Sequence, residues 1–391
     1  MSALIVGYAR TPFTKFTGQL ATQPATALGA HAAKAALSRA GVAPDQVDQV
    51  VVGQVLQAGA GQNPARQTAV GAGVPMSVPS IAVNAVCLSG AEAVAQAARL
   101  IKAGEADIVL AVGQESMSLA PHVVPLRAGV KYGNVALIDT VDHDGLSDAY
   151  DQVAMGALTE GDNAPLGISR EDQDAIAARS HRLAAASVDY LAEEIEPYTV
   201  SSRRGDVVVS ADDGVRPDTT VETLAKLRPS FAKDGTITAG NASQITDGAA
   251  ALVLVSESAA ERFGLTPIAR VEATALVAGP GNGLHAQPSN AIAAALKKVD
   301  GGATAKDLQA VEINEAFAAV GIQSTRELGI DPEIVNAHGG AIALGHPIGA
   351  SGARIVGTLA RRLAALGSGS LGAIGICGGG GQGTGIVLRA V

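Results

Sequence analysis

Short runs rich in valine and isoleucine alternate along the chain with longer alanine-rich stretches in which apolar residues recur at helical spacing. Short apolar runs are typical of buried strands, and a recurrence every three to four residues is typical of amphipathic helices. The pattern predicts strands at 3–6, 47–52, 80–86, 108–112, 249–255, 310–313, 371–377 and 384–389. It predicts helices at 24–40, 88–103, 170–192, 289–298 and 350–366. The chain is therefore predicted to be an α/β protein.

Composition narrows the kind of α/β protein. The 391 residues are 47% hydrophobic and only 17% charged, which excludes a disordered chain and a charged coiled coil. Aromatic residues make up 3%, tryptophan is absent and glycine reaches 47 residues. Packing must then depend on small and aliphatic side chains and on close backbone approaches, which suits tightly stacked layers.

Charge and hydropathy exclude several partners. The 28 basic and 37 acidic residues give a net charge of −9, the wrong sign for a general nucleic-acid or anionic-membrane surface. No apolar stretch approaches the ~20 residues of a membrane span, and residues 1–10 lack the pattern of a signal peptide. We expect a cytoplasmic protein with no nucleic-acid or membrane partner, whose two cysteines are thiols rather than a disulfide.

An internal repeat appears at an offset of roughly 260 residues. Residues 43–52 run in step with 304–313, and Ser-Gly-Ala at 89–91 followed by Ala-Arg at 98–99 recurs at 351–353 and 360–361. A glycine and an apolar run follow in both places. Three matches in the same order predict two copies of one α/β unit.

The segment 119–248 separates the copies and differs from them in composition. It contains six prolines, several Asp-Gly turns and most of the charge clusters. We predict a first half at 1–118 together with 249–266, an inserted loop domain at 119–248, and a second half at 267–391.

Cys87 and His346 occupy nearly equivalent places in the two copies. Cys87 precedes a predicted helix, where unpaired N–H groups and the helix dipole are expected to lower the thiol pKa and favour thiolate. His346 lies in a glycine-rich loop that opens the second copy's matching helix. An isolated cysteine is more often a core residue and a loop histidine more often a structural hydrogen-bonding group. The histidines show no metal-binding spacing, so a Cys/His pair for covalent catalysis is favoured over a metal site.

Cys377 ends the last predicted buried strand and is followed by four glycines at 378–381. Glycines 378, 380 and 383 fit a dinucleotide-binding pattern, but a strand follows them rather than the helix that would receive a pyrophosphate. The dinucleotide interpretation is therefore rejected. Consecutive glycines instead allow backbone N–H groups to approach a ligand oxygen closely, as an oxyanion hole requires.

Six motifs taken together resemble the thiolase family. They are Asn-Ala-Val-Cys-Leu-Ser-Gly at 84–90, Gly-Gln-Glu-Ser-Met-Ser at 113–118, Gly-Asn-Ala-Ser at 240–243, Asn-Glu-Ala-Phe at 314–317, Gly-His-Pro at 345–347, and the cysteine and glycines from 377. They occur in the family's order and cover essentially the whole chain. The resemblance implies a duplicated, five-layered α/β/α/β/α fold with an inserted loop domain, in agreement with the internal repeat.

The resemblance also implies a ping-pong acyl transfer between coenzyme A thioesters, either condensing two acetyl-CoA to acetoacetyl-CoA or running in reverse. Cys87 would attack the thioester while His346 takes its proton, and Cys377 would then move the α-proton of the second substrate. One oxyanion site would combine His346 with a water held by Asn314. The other would combine the backbone N–H groups of Cys87 and Gly379.

Coenzyme A contacts, by the same resemblance, correspond to Ser243 near the pantetheine, Arg216 near the nucleotide and Met155 in the acyl pocket. No tightly bound cofactor is implied; acyl-CoA and free coenzyme A are substrates, and the subunits are expected to form a homodimer or homotetramer.

Two departures from the family pattern concern substrate choice. Many acetoacetyl-CoA-forming members carry histidine where this chain has Ala154, and glycine where it has Gln244. We expect a wider acyl pocket at Ala154, unless the loop at 279–283 fills it, and a polar side chain from Gln244 beside the pantetheine channel. A degradative 3-ketoacyl-CoA thiolase for longer chains is therefore an alternative. A ketosynthase-like condensing enzyme and a non-catalytic thiolase-like lipid carrier are further alternatives.

Overall fold

The computed structural model describes residues 2–203 and 205–391. The strands alternate with helices in the order that the hydrophobic pattern predicts. The strands are β1 Ala3–Arg10, β2 Thr14–Lys15, β3 Gln49–Gly53, β4 Ser80–Val83, β5 Ile108–Glu115, β6 His122–Val123, β7 Ile138–Asp139, β8 Tyr198–Val200, β9 Val207–Val209, β10 Thr246–Ser256, β11 Ala269–Ala278, β12 Ala310–Ile313, β13 Leu371–Gly378 and β14 Gln382–Ala390.

The helices, in chain order, are α1 Ala25–Ala40, α2 Pro64–Gly71, α3 Ser89–Ala103, α4 Met155–Asn163, α5 Arg170–Ala186, α6 Val188–Ala192, α7 Val221–Leu224, α8 Glu257–Phe263, α9 Gln287–Leu296, α10 Ala318–Leu328, α11 Ala341–Leu344 and α12 Ser351–Leu366. The long helices α1, α3, α5 and α12 lie in alanine-rich stretches, and alanine has the highest helix propensity. No helix in the described part of the chain is both long and apolar enough to cross a membrane.

Nine strands form one continuous path in the order β12-β13-β14-β11-β1-β10-β5-β3-β4, and β2 pairs with β10 beside it. Within each half the strands pair over most of their length, as β1 does with β10. Within the sheet, the two halves are joined where Ala3 to Ile5 of β1 pair with Val271 to Ala269 of β11. The sheet is thus two half-sheets that share a short seam.

Helices α3 and α12 pack together between the two half-sheets. On the far side of the first half-sheet lie α1 and α2, and on the far side of the second lies α9. A Cβ atom added at Gly352 of α12 would overlap the backbone nitrogen of Ala91 in α3, so this close approach requires glycine. The five predicted layers, α/β/α/β/α, are confirmed.

The predicted repeat is visible in the element order. Helix α3 and strand β5 in the first half match α12 and β13 in the second, and the strand pair β1 and β10 matches β11 and β14.

Two sequence predictions of local structure are wrong. The helix predicted over 170–192 breaks at Ser187, whose backbone leaves the helical region (φ −112°, ψ 22°) and whose hydroxyl lies 2.9 Å from Nδ1 of His338. The strand predicted over 80–86 ends at Val83, because the chain turns sharply before α3.

The segment 119–248 lies outside the main sheet except for its last three residues, 246–248, which begin β10. It carries α4 to α7 and two small hairpins, β6 with β7 and β8 with β9. Buried ion pairs connect it to β1: the Arg10 guanidinium lies 3.0 Å from Glu194 and 2.7 Å from Asp212, and Arg10 and Glu194 are fully buried. Buried charges persist only when paired, so these contacts fix the segment against the core.

Candidate active site

One mainly apolar cavity of about 270 Å³ collects side chains from both halves and from the segment between them. Its lining residues are Val86, Cys87, Asp142, Gly145, Leu146, Ala154, Met155, Gly156, Phe231, Ala242, Ser243, Ile245, Leu284, Ala316, Phe317, His346, Ile348, Cys377, Gly378 and Gly379. Three residues predicted to be catalytic, Cys87, His346 and Cys377, therefore meet in one place.

Cys87 lies half-buried in the turn between β4 and α3. Burial raises the pKa of its thiol to about 12; the backbone N–H groups of Cys87 and Gly379 donate to the sulfur and partly oppose this rise. The expectation of a lowered pKa is wrong, because apolar side chains including Met117 and Ile348 pack against the thiol and α3 begins only at Ser89. The resting group is the neutral thiol.

His346 lies between α11 and α12 and is buried. Burial, assisted by the charge of Arg354, lowers its pKa to about 3, so the imidazole is neutral. Nδ1 lies 2.6 Å from the hydroxyl of Ser351, which itself donates to the Pro347 carbonyl at 3.1 Å. This network assigns the proton to Nδ1 and leaves Nε2, which has no hydrogen-bond partner among the residues that the structure describes, as a base.

Asn314 follows β12, and its side-chain nitrogen lies 3.5 Å from Nδ1 of His346. Its Oδ1 is buried and finds no hydrogen-bond partner within residues 2–203 and 205–391. Asn314 does not line the cavity but lies behind the imidazole. A buried acceptor of this kind is a site for a polar ligand or an ordered water.

Cys377 is 1% exposed at the carboxyl end of β13 and packs with Met155, Leu284 and Phe317. Burial and the neighbouring Cys87 raise the pKa of its thiol. The glycines after it form the turn from β13 into β14, which confirms that no helix follows. A Cβ atom at Gly378 would lie 2.8 Å from Cγ of Leu88, so glycine allows this turn to approach the turn of the first thiol.

The residues expected to contact coenzyme A are divided. Ser243 and Met155 line the cavity, whereas Arg216 is exposed outside it and donates its backbone N–H to Nδ1 of His181. Gln244 does not line the cavity, and its amide donates to the carbonyls of Gly214 and Ile342. Its position beside the pantetheine channel stays a prediction.

Ala154 lies at the cavity wall, as expected. The loop at 279–283 does not enter the cavity: Asn282 donates to Asp148 and Asp151, and Gly281 packs against Gly381. That loop therefore leaves the space beside Ala154 open.

Comparison with known proteins identifies the family. Residues 3–258 match the thiolase N-terminal domain and residues 265–390 match the thiolase C-terminal domain. The chain belongs to the thiolase family. The thiolase fold and acyltransferase class predicted from the motifs are confirmed.

Related thiolases are similar over their full length. A "Probable acetyl-CoA acetyltransferase" of Mycolicibacterium smegmatis is 51% identical over 390 residues, covering 99% of this chain and 100% of that protein. An "Acetyl-CoA acetyltransferase" of Chromobacterium violaceum is 46% identical over 393 residues, covering 100% of both. The crystal structure of the Bacillus anthracis acetyl-CoA acetyltransferase superposes with a TM-score of 0.95 at 36% identity, covering 100% of this chain and 99% of that one.

Sequence reasoning missed one carboxyl group of this thiolase site. Glu115 ends β5 fully buried and accepts hydrogen bonds from the backbone N–H groups of Val55, Leu56 and Gly349. Burial raises its pKa to about 7 against the effect of these bonds. The available signal was an acidic residue, directly after Gln114, at the end of a strand whose other residues are apolar or glycine.

Sequence reasoning also missed the role of Ser351. The internal repeat includes Ser351 but assigns it no role, although it lies five positions after His346 and fixes the tautomer of the imidazole. Serine at the start of a helix is common, so its position alone does not indicate such a contact.

Proposed function

We propose that the chain is an acetyl-CoA acetyltransferase that condenses two acetyl-CoA to acetoacetyl-CoA and coenzyme A, and catalyses the reverse thiolysis, through an acyl group on Cys87. The observation that carries this proposal is the meeting of two thiols and a neutral imidazole in one mainly apolar cavity. The names of the similar proteins support the acetyl substrate. Coenzyme A thioesters and free coenzyme A are the substrates, and no tightly bound cofactor is required.

In the first half-reaction, Cys87 Sγ attacks the thioester carbonyl while its proton passes to Nε2 of His346. Both groups are neutral at rest, so proton transfer accompanies the attack and no buried ion pair forms beforehand. The carbon–sulfur bond to coenzyme A breaks, and the departing thiolate takes the proton from His346. The N–H groups of Cys87 and Gly379 stabilise the tetrahedral oxyanion, at about 3 kcal/mol for each donor.

In the second half-reaction, Cys377 gives its thiol proton to Nε2 of His346 and, as thiolate, removes an α-proton from a second acetyl-CoA. The resulting enolate attacks the acyl carbon on Cys87, and the bond to Cys87 breaks as its sulfur takes the proton from Nε2 of His346. His346 and a water bound to Asn314 stabilise the enolate oxygen; the unpartnered Oδ1 of Asn314 and Nε2 of His346 support this assignment.

We propose that the inserted segment 119–248, between the halves at 1–118 with 249–266 and at 267–391, binds coenzyme A. Met155, Phe231 and Ser243 all come from this segment and line the cavity. Arg216, an exposed cation on the same segment, is the candidate partner for the nucleotide phosphates.

A degradative role on longer 3-ketoacyl-CoAs is a second candidate. The open wall at Ala154 favours it over an acetyl-only site. The chemistry is the same in both cases, so only relative rates along a substrate series distinguish the two.

A homo-oligomer is also proposed. Strand β4 ends the sheet path, and Ile81 on it is 41% exposed. An edge strand with exposed apolar side chains is favourable for pairing with a second copy. Light scattering coupled to gel filtration measures the state, and a monomer at micromolar concentration would contradict the proposal.

Acetyl-CoA labelling tests the central proposal. After incubation with acetyl-CoA, peptide mapping by mass spectrometry should find the acetyl group on Cys87. The variant Cys87→Ser should lose both this label and condensation, while Cys377→Ser should keep the label. An acetyl group found only on Cys377 would reverse the two roles.

A further inference from the structure

The backbone immediately before the nucleophile adopts an unfavourable conformation. Val86 has φ of 52°, in the left-handed region that β-branched residues avoid. Such conformations persist where surrounding contacts hold them, and they concentrate at functional sites. Contacts with neighbouring residues must therefore hold Val86 in this conformation.

Two side chains hold this turn. The hydroxyl of Ser89 accepts a hydrogen bond from the Ala85 N–H at 2.9 Å and donates to the Val86 carbonyl at 2.6 Å. The side-chain oxygen of Asn84 accepts from the Val86 N–H at 3.0 Å. Ser89 is fully buried, so bulk water does not compete with these two hydrogen bonds of its hydroxyl.

The turn decides where the backbone N–H of Cys87 points. Hydrogen bonding from that N–H and from the Gly379 N–H opposes the rise in the pKa of the Cys87 thiol, so both groups lie close to the sulfur. The Val86 side chain faces Gly379, where an added Cβ atom would lie 3.5 Å from the valine methyl. If Val86 relaxed to negative φ, the peptide plane between Val86 and Cys87 would rotate and the N–H of Cys87 would leave this arrangement.

We propose that Ser89 is a positioning residue for acyl transfer, whose hydroxyl holds Val86 in the left-handed conformation and so directs the Cys87 N–H at the developing oxyanion. The inference rests on the proposed function of Cys87 as acyl carrier. Removing the hydroxyl leaves the Ala85 N–H without this partner, while the Val86 carbonyl keeps only the Ser89 N–H at 3.0 Å. Misdirecting one oxyanion donor is expected to slow acylation by about 10- to 100-fold.

The test compares two reactions of the same sulfur in the Ser89→Ala enzyme. Acetylation of Cys87 by acetyl-CoA passes through an oxyanion, whereas alkylation by iodoacetamide does not. We expect the ratio of the acetylation rate to the alkylation rate to fall at least about 10-fold. A purely structural role would change both rates together. Ser256→Ala, which removes another fully buried hydroxyl at a helix start, is the matched control and should leave the ratio unchanged.

A rescue experiment completes the test. Glycine adopts positive φ without a supporting contact, so the Val86→Gly enzyme should not need the Ser89 hydroxyl. The loss of acetylation rate caused by Ser89→Ala should therefore be at least about tenfold smaller in the Val86→Gly background than in the unmodified enzyme. If Ser89→Ala alone does not fold, the double variant should fold and acetylate Cys87.

The outcomes separate the two proposals. An unchanged ratio in Ser89→Ala, or an equal cost in both backgrounds, overturns the positioning role, as does an inactive double variant. Absence of acetyl on Cys87 in the unmodified enzyme instead overturns the proposed function.

Discussion

Substrate length is expected to depend on the single position Ala154. The residue lies at the start of α4, at the wall of a cavity of about 270 Å³ next to Met155. Replacing its methyl group with an imidazole fills space that the loop at 279–283 leaves open. We therefore expect Ala154→His to narrow the site toward four-carbon substrates.

The magnitude follows from the apolar lining. Each buried methylene contributes about 0.8 kcal/mol, so accommodating two more carbons is worth up to about 1.6 kcal/mol, or roughly 15-fold in kcat/KM. The unmodified enzyme should accept a six-carbon 3-ketoacyl-CoA at least as well as the four-carbon one. Ala154→His should lower kcat/KM for six carbons by about this factor and change it little for four.

Thiolysis rates for the four- and six-carbon substrates, measured in the unmodified enzyme and in Ala154→His, show whether position 154 controls substrate length. Ala149→His, an exposed alanine on the same segment outside the cavity, is the matched control. If the unmodified enzyme already discriminates against six carbons as strongly as Ala154→His does, the reasoning from an open wall is refuted.

Three further predictions concern the reacting and binding groups. Cys377→Ser should lower condensation at least about 100-fold, because a hydroxyl is a poor proton-transfer group near neutral pH, while acetyl exchange between Cys87 and free coenzyme A continues; an equal loss of both would show a shared role. The pKa of His346 is lowered to about 3, so between about pH 6.5 and 3 its imidazole is protonated in the unfolded chain but not in the native state. The free energy of unfolding therefore falls as pH falls through this window. In urea titrations His346→Gln should reduce that slope by about one proton. Arg216→Ala should raise KM for acetyl-CoA about fivefold without affecting an acetyl-pantetheine substrate, and an equal effect on both substrates would exclude a nucleotide contact.

Much of the fold was predictable because the hydrophobic periodicity of each segment and the internal repeat of the whole chain indicate the same architecture. Apolar runs at strand spacing and alanine-rich stretches at helix spacing are properties of neighbouring residues. The repeat then predicted the duplicated halves, and Cys87 and His346 emerged because they occupy matching places in them. The break at Ser187 was not predictable, since the hydroxyl contacts His338 from a distant part of the chain.

The protonation states at the site were not predictable from the sequence. The thiol pKa of Cys87 depends on burial by residues such as Leu56 and Ile348, which are far from it in the sequence. A helix start nearby suggests a thiolate, but desolvation has the larger effect here. Gln244 shows the same limit: its neighbours in sequence line the cavity, while its own amide turns to the carbonyls of Gly214 and Ile342.

The glycine contact between α3 and α12 determines how far the nucleophile lies from its base. Cys87 lies just before α3 and His346 just before α12, so the separation of nucleophile and base follows the spacing of these two helices. At Gly352 that spacing has reached its lower limit, because the backbones already touch at Ala91. A single methyl group at position 352 would push the halves apart and lengthen the path of the proton from sulfur to nitrogen. The absence of a Cβ atom at Gly352 thus sets the distance between the Cys87 sulfur and the His346 imidazole.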